Sequence, residues 1–221
     1  QSARSEFTAN VTHELKTPLT SIKGFTDMLS SGLVKNEEDQ KRFLTMISVE
    51  VDRLSRLVDD ILKVSELETV AGATGSERAA LLTLTQEVHS VLEPLAEKSG
   101  VTLSVSGQEV VGRIAPDRFK EVAMNLMENA VKYNRSGGRV SATVALEGDQ
   151  AVFTVADTGI GIAKKDQRRI FDRFVKLAPF SQGMGLGLAV CRLIAGALGG
   201  GVELDTSYTE GARFTLTIPI V

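Results

Sequence analysis

The chain has 221 residues, 43% hydrophobic and 24% charged, a composition that fits one large folded domain or two small ones. Twenty-five Lys and Arg against 28 Asp and Glu give a net charge of −3, so no global positive field draws in nucleic acid or anionic lipid. A single cysteine, Cys191, excludes an internal disulfide framework and any multi-cysteine zinc site and fits a reducing compartment.

From the N-terminus, the chain opens on Gln1 with no apolar signal core and reads as a fragment excised from a longer protein. Val11, Leu15, Pro18, Ile22, Phe25 and Leu29 recur at alternating steps of four and three, as do Ile47, Val51, Leu54, Val58, Ile61 and Ser65. This spacing predicts two long helices with a bundle seam. Between them, Ser30-Ser31-Gly32 and the polar run 35–40 read as a turn. Two helices alone bury little surface, so the hairpin is expected to dimerise into a four-helix bundle. The alternative is a hairpin packed on the second half of its own chain.

Residues 71–80 (AGATGSERAA) are small and polar and predict a linker, dividing the chain into 1–70, 71–80 and 81–221. Only Gly24 and Gly32 of the 20 glycines precede it. Beyond it, helices are predicted over 84–98, 117–133 and 186–198. Strands are predicted over 101–105, 139–146, 151–156, 201–206 and 212–219. That order implies an α+β layer with helices on one face of a mostly antiparallel sheet. The apolar stretch 186–198 is interrupted by Arg192 and is too short to span a bilayer.

Four constellations carry chemistry. His13 lies two residues from both Val11 and Leu15, which turns it away from the seam. Glu14 adjoins it, Thr17 follows one turn later on the same face, and Pro18 removes the hydrogen bond to the Glu14 carbonyl. A neutral imidazole is a competent nucleophile. The fifth position from His13 is Thr17, so the H-E-x-x-H zinc pattern is absent. His89, the other histidine, has no motif partner and reads as surface or core filler.

Asn125, Asn129, Lys132 and Tyr133 share one side of the predicted helix 117–133. Two amides and an ammonium group there suit phosphate oxygens and a hydrated Mg²⁺. Asp157-Thr-Gly159-Ile-Gly161 follows a strand. A carboxylate at that strand end can accept from an exocyclic amine while glycine backbone approaches a flat ring. The same tripeptide occurs in aspartic proteases, but a lone copy in a helix-rich chain does not suit them. Gly183-Met-Gly185-Leu-Gly187-Leu188 opens the last helix, where free N–H groups hold anions. The stretch before it is irregular, which excludes a Rossmann turn. No Gly-Lys pair occurs in the chain, which excludes a Walker A loop. Cys191 reads as packing.

In this order, the four motifs resemble the catalytic core of a bacterial sensor histidine kinase of a two-component system. Residues 7–25 (FTANVTHELKTPLTSIKGF) resemble its H-box, 125–133 its N-box and 157–162 its G1 box. Residues 170–174 (IFDRF) resemble its F-box and 183–188 its G2 box. The resemblance implies a helical hairpin that forms a homodimeric four-helix bundle, followed by an α/β sandwich of the Bergerat (GHKL) ATP-binding type. It implies ATP-dependent phosphorylation of His13 with Glu14 as base, and transfer to an aspartate of a response regulator. Thr17 falls where family members position water for dephosphorylating that regulator.

By the same resemblance Asn129 ligates Mg²⁺ and Asn125 supports it, Lys132 neutralises phosphate, and Tyr133 packs near the nucleotide. Asp157, with Gly159 and Gly161, reads adenine. Phe174, Lys176, Gly183, Gly185, Gly187 and Leu188 belong to the lid and its borders. Met184 stands where the family usually has a small polar residue, and Ala212 where Ser or Thr is common. The rival ATPases of the gyrase, mismatch-repair and heat-shock chaperone type place a Glu where this chain has Asn125, which cannot activate water. The other rival is a non-catalytic dimeric signalling scaffold, against which His13, Glu14, Asn129 and Asp157 stand together. No nucleic-acid partner is expected. The parent protein is expected to be anchored in the bacterial membrane, with this part facing the cytoplasm.

Overall fold

The computed structural model describes residues 2–69, 77–172, 175 and 185–220, with the side chains of 2–8, 10, 60 and 63–69 left aside. Two long helices come first, α1 (Ser2–Ser30) and α2 (Glu37–Thr69). Helix α1 runs unbroken through Pro18. Asn36 starts α2: its Oδ1 accepts the Glu38 N–H at 2.7 Å, and Glu37, Glu38 and Asp39 fill the first turn, where carboxylates meet the positive end of the helix. The expected turn over 35–40 is therefore shorter than its polarity implied, because those residues are a helix start.

The hairpin closes through Phe25 and Phe43, whose rings lie 5.7 Å apart. All six α1 seam residues are at least half-buried. In α2 the seam divides. Phe43, Ile47, Leu54, Leu57 and Ile61 turn inward, whereas Val51 and Val58 are each 44% exposed, in one row with Leu44 and Leu62. The expected α2 series therefore mixes two faces, one directed at α1 and one directed outward. Helix α2 also touches α5 (Gly187–Ala197), and Leu57 is 3% exposed there within the main core. The hairpin thus packs partly on the second half of its own chain.

That second half is a layered α/β unit. It comprises β1 (Ala79–Ala80), α3 (Leu81–Lys98), β2 (Thr102–Gly107), β3 (Val111–Gly112) and α4 (Pro116–Lys132). It continues with β4 (Arg139–Glu147), β5 (Gln150–Asp157), α5, β6 (Gly201–Leu204) and β7 (Arg213–Pro219). Five strands form one sheet in the order β2-β4-β5-β7-β6, antiparallel except for the parallel β2–β4 pair. The two-residue strands β1 and β3 pair separately, Ala79 with Gly112 and Ala80 with Val111. They were not legible in the sequence, since two residues carry no periodicity.

Strict alternation in β4 and β7 buries one sheet face. Phe153 of β5 meets Phe119 of α4 edge-on at 5.2 Å, and Leu126, Leu216 and Ile218 fill the layer around them. The other face carries Ser141, Thr143, Thr154, Thr215 and Thr217 along an open groove. Helix α3 begins at Ala80, which cannot cap it. Glu109 reaches over instead, accepting the Leu82 N–H at 2.8 Å and the Thr83 N–H at 3.0 Å. His89 has a partner after all: its Nε2 lies 3.1 Å from the Leu103 carbonyl, so it joins α3 to β2. Cys191 is fully buried, and desolvation raises its thiol pKa far above the ordinary range, which leaves it a packing residue. Among the described residues no helix is long and apolar enough to cross a membrane.

Candidate functional site

Three structural ends meet beside α4. The first is α4 itself. Its apolar positions Val122, Leu126 and Val131 are buried, which turns Asn125 and Asn129, both half-buried, along one edge. Lys132 is exposed, and its Nζ lies 2.8 Å from Glu128 Oε1, one turn earlier. Tyr133 caps the helix.

The second is the turn after β5. The Tyr133 carbonyl accepts the Ile160 N–H at 3.1 Å, tying the end of α4 to this turn. A β-carbon on Gly159 would collide with that carbonyl, so the close approach requires glycine. Gly161 has φ +67. Asp157, the last residue of β5, is 6% exposed. Its Oδ1 accepts the Gly159 N–H at 2.8 Å and the Ala212 N–H at 3.1 Å. Among the described residues its side-chain hydrogen bonds all go to Oδ1, which leaves Oδ2 to accept from a ligand. Burial raises the pKa of this carboxyl, and the two main-chain N–H groups offset that only in part.

The third is the start of α5. A β-carbon on Gly187 would lie 2.8 Å from Asn125 Oδ1, so the helix N-terminus and the amide stripe of α4 are direct neighbours. Gly185 (φ +71) is packed against the Val175 main chain, and Leu188 is half-buried beside it in α5. The structure therefore sets Gly187 against Asn125 midway along α4, and Gly159, whose N–H holds Asp157, against Tyr133 about two turns further on. Phe174, Lys176 and Gly183 lie outside the described residues, as do Met184 and positions 71–76.

Two residues of this site, Gly211 and Tyr208, were not named from the sequence, and a third, Ala212, was noted there only for its missing hydroxyl. Gly211, whose absent side chain makes room for the Asp157 carbonyl, and Ala212, which acts through its main chain, precede β7. A glycine two residues before a strand was the signal available. Tyr208, whose hydroxyl donates to the Asp157 carbonyl at 3.1 Å, gave no sequence signal.

His13 stands elsewhere, exposed on α1. Glu14 beside it is half-buried, and Thr17 is exposed, with its hydroxyl donating back to the His13 carbonyl at 3.2 Å. Such i−4 bonding occupies the hydroxyl locally without fixing it. The exposed imidazole thus lies on the helical hairpin and the buried carboxylate on the α/β unit.

These two parts define a phosphoacceptor hairpin joined to a nucleotide-binding α/β sandwich. Residues 3–70 match the His Kinase A (phospho-acceptor) domain family, and residues 114–221 match the histidine kinase-, DNA gyrase B- and HSP90-like ATPase family. The chain belongs to the two-component sensor histidine kinases, of which it carries the catalytic core. It is 28% identical to the sensor protein SrrB of Staphylococcus aureus over 98% of its own length, which spans 38% of that relative. Among solved structures, full-length ShkA in complex with AMPPNP is 28% identical, with a TM-score of 0.69 over 98% of this chain and 46% of that one. The Acinetobacter baumannii histidine kinase AdeS shares the fold at 24% identity, TM-score 0.75, covering 94% of this chain and 98% of that one. So does ThkA, solved in complex with the response regulator protein TrrA, at 23% identity and TM-score 0.75. That match covers 100% of this chain and 63% of ThkA.

Proposed function

We propose that this chain transfers the γ-phosphoryl group of ATP to His13 and then to an aspartate of a response-regulator receiver domain. The observation that carries the proposal is Asp157: a buried carboxylate with one oxygen fixed by two N–H groups and the other left to accept the adenine amino group. ShkA, with its bound ATP analogue, supports the choice of nucleotide. Gly159 and Gly161 give the flat ring close access to backbone, Tyr133 borders the nucleotide, and Gly185, Gly187 and Leu188 form the anion-facing start of α5. Phe174, Lys176 and Gly183 would complete the lid.

Magnesium suits this donor set. Among the described residues no cluster of three acidic, His or Cys side chains could hold a cation. An ion that arrives with the phosphates and takes one amide oxygen, from Asn129, matches the way Mg²⁺ is commonly held. When bound, it neutralises charge on the phosphates. Asn125 supports that shell, and Lys132 adds a positive charge once it releases Glu128.

In the transfer, a ring nitrogen of His13 forms the bond to the γ-phosphorus. The bond from phosphorus to the bridging oxygen breaks, ADP leaves, and Glu14 takes the imidazole proton. Catalysis is then mainly positioning. We assign residues 1–70 to the dimerising phosphoacceptor unit and 81–221 to the ATP-binding unit, with 71–80 as the hinge that lets the second reach the first. Thr17, once its hydroxyl turns from the His13 carbonyl, would orient water for dephosphorylating the regulator.

Dimerisation is supported by the hairpin surface. Nine of the thirteen exposed large apolar side chains among the described residues lie on α1, α2 and their turn, and four of them, Leu44, Val51, Val58 and Leu62, share one side of α2 as a row that a second copy would bury. ThkA, crystallised with its regulator, supports the partner class. The longer protein is assigned to the bacterial membrane with this part facing the cytoplasm. Hydrolysis by a gyrase-like route is disfavoured, because Asn125 stands where the base would be.

The test is incubation with Mg²⁺ and γ-labelled ATP. The native chain acquires label that is lost in acid and stable in base, and Asp157→Asn acquires far less at the same subsaturating ATP. Label that survives acid, or equal labelling of Asp157→Asn, would contradict the proposal.

A further inference from the structure

We infer that Tyr208 is a positioning residue for base recognition, holding Asp157 in place from the far side of the sheet. The inference rests on the reading of Asp157 as the acceptor for the adenine amino group. Asp157 ends β5: its N–H pairs with the Ala212 carbonyl at 2.9 Å, and its own carbonyl lies past the last ladder bond. Tyr208 Oη donates to that carbonyl at 3.1 Å. The same peptide leads into Thr158 and Gly159, whose N–H fixes Asp157 Oδ1. Rotation of that peptide would therefore move both the carboxylate and one of its two donors.

The tyrosine is itself braced. The Arg213 guanidinium lies 4.1 Å from its ring centroid, a cation–π contact. Arg213 Nη1 is held by Asp205 Oδ2 at 3.2 Å. Asp205 Oδ1 in turn accepts the Ser207 N–H at 2.9 Å and the Ser207 hydroxyl at 2.5 Å. The Asp205 N–H donates to the Arg213 carbonyl at 2.9 Å. Arg213 and Asp205 line the open sheet face, opposite the buried side that carries the Asp157 carboxylate. The β6–β7 hairpin is thus a strut running Asp205–Arg213–Tyr208–Asp157, with no link needing to touch nucleotide.

A residue that fixes Asp157 alone affects only the part of binding energy that comes from the 6-amino group. The test is titration of the 221-residue chain with ATP and with purine riboside 5′-triphosphate, which lacks that group. The native chain prefers ATP by about tenfold, as expected for a hydrogen bond to a charged acceptor. Tyr208→Phe narrows that ratio at least about threefold, through weaker ATP binding alone, while its melting temperature stays within about 2 °C of native. Arg213→Gln, which keeps the hydroxyl but frees the ring, narrows the ratio by a smaller factor. A native ratio in both variants, or equal loss of both nucleotides in Tyr208→Phe, would overturn the strut and leave Asp157 as the reader. A native chain with no preference for ATP would overturn the Asp157 assignment and the strut with it.

Discussion

Gly187 and Asn125 are matched: a β-carbon on Gly187 would stand 2.8 Å from Asn125 Oδ1, so the start of α5 and the amide stripe of α4 leave no room between them. The nearest atom is the end of a side chain, which can rotate away, so Gly187→Ala displaces the amide and leaves the fold intact. The expected outcome is a melting temperature within about 3 °C of native, with autophosphorylation slowed about tenfold by a misplaced phosphate-side group. Melting and labelling rates measured together check this. A collapsed melting temperature would show that the contact is structural.

Asp157→Asn separates stability from binding. Oδ1 is pinned by the Gly159 and Ala212 N–H groups, so the amide oxygen takes that place and the NH₂ replaces Oδ2. A donor then faces the adenine amino group, and ATP affinity falls roughly ten- to a hundredfold.

The pH dependence of that variant has a definite sign. The folded-state pKa of Asp157 is raised by burial. Its contribution to stability is therefore fully present below the unfolded value, about 3.9, and is lost as pH rises through the folded value. The native chain loses stability relative to Asp157→Asn on going from about pH 4 to pH 7. Urea denaturation of both proteins across that range is the check, and a gap that moves the other way would contradict the burial account.

Glu109 shows the opposite sign. Burial raises its pKa, but hydrogen bonds from the Thr83 hydroxyl and the main-chain N–H groups of Leu82, Thr83 and Val110 win and lower it. Its contribution is present above the unfolded value, about 4.3, and is lost as pH falls through the folded value. Glu109→Gln removes a charge from the start of α3 and costs at most about 1 kcal/mol, since the side chain is exposed and solvent screens it. That difference closes as pH falls from the unfolded value through the lower folded one. A gap in urea midpoints that persists in acid would count against the capping role.

The split of α2 makes the dimer testable. Val51 and Val58 face away from α1, and Glu in both places puts charge into the proposed bundle interior at little cost to the lone chain. Sedimentation equilibrium is expected to show a monomer for the double variant and a dimer for the native chain. Two dimers would place the interface elsewhere.

Legibility in the sequence followed periodicity and glycine. Helix α4 and strands β4 and β7 were readable because each buries one face, so burial and pattern agree. The places of His13 on α1, Asn125 and Asn129 on α4 and Asp157 at the end of β5 were readable because helical spacing and the strand–glycine junction set them. The two faces of α2 were not separable, since Leu44, Ile47, Val51 and Leu54 are all apolar and differ only in what covers them. Tyr208 was silent because its role depends on a hydroxyl crossing 51 positions to a main-chain carbonyl, and main-chain partners leave no trace in side-chain patterns. Ala212 was read as the loss of a hydroxyl, whereas the structure uses its N–H.

His13 as the phosphoryl acceptor is tested most directly by comparing native chain and His13→Ala with Mg²⁺ and γ-labelled ATP, measuring ATP affinity alongside. The expected result is label on the native chain, none on His13→Ala, and the same affinity in both, since His13 lies on α1 and Asp157 on β5. Label retained by His13→Ala would move the acceptor elsewhere and contradict the account.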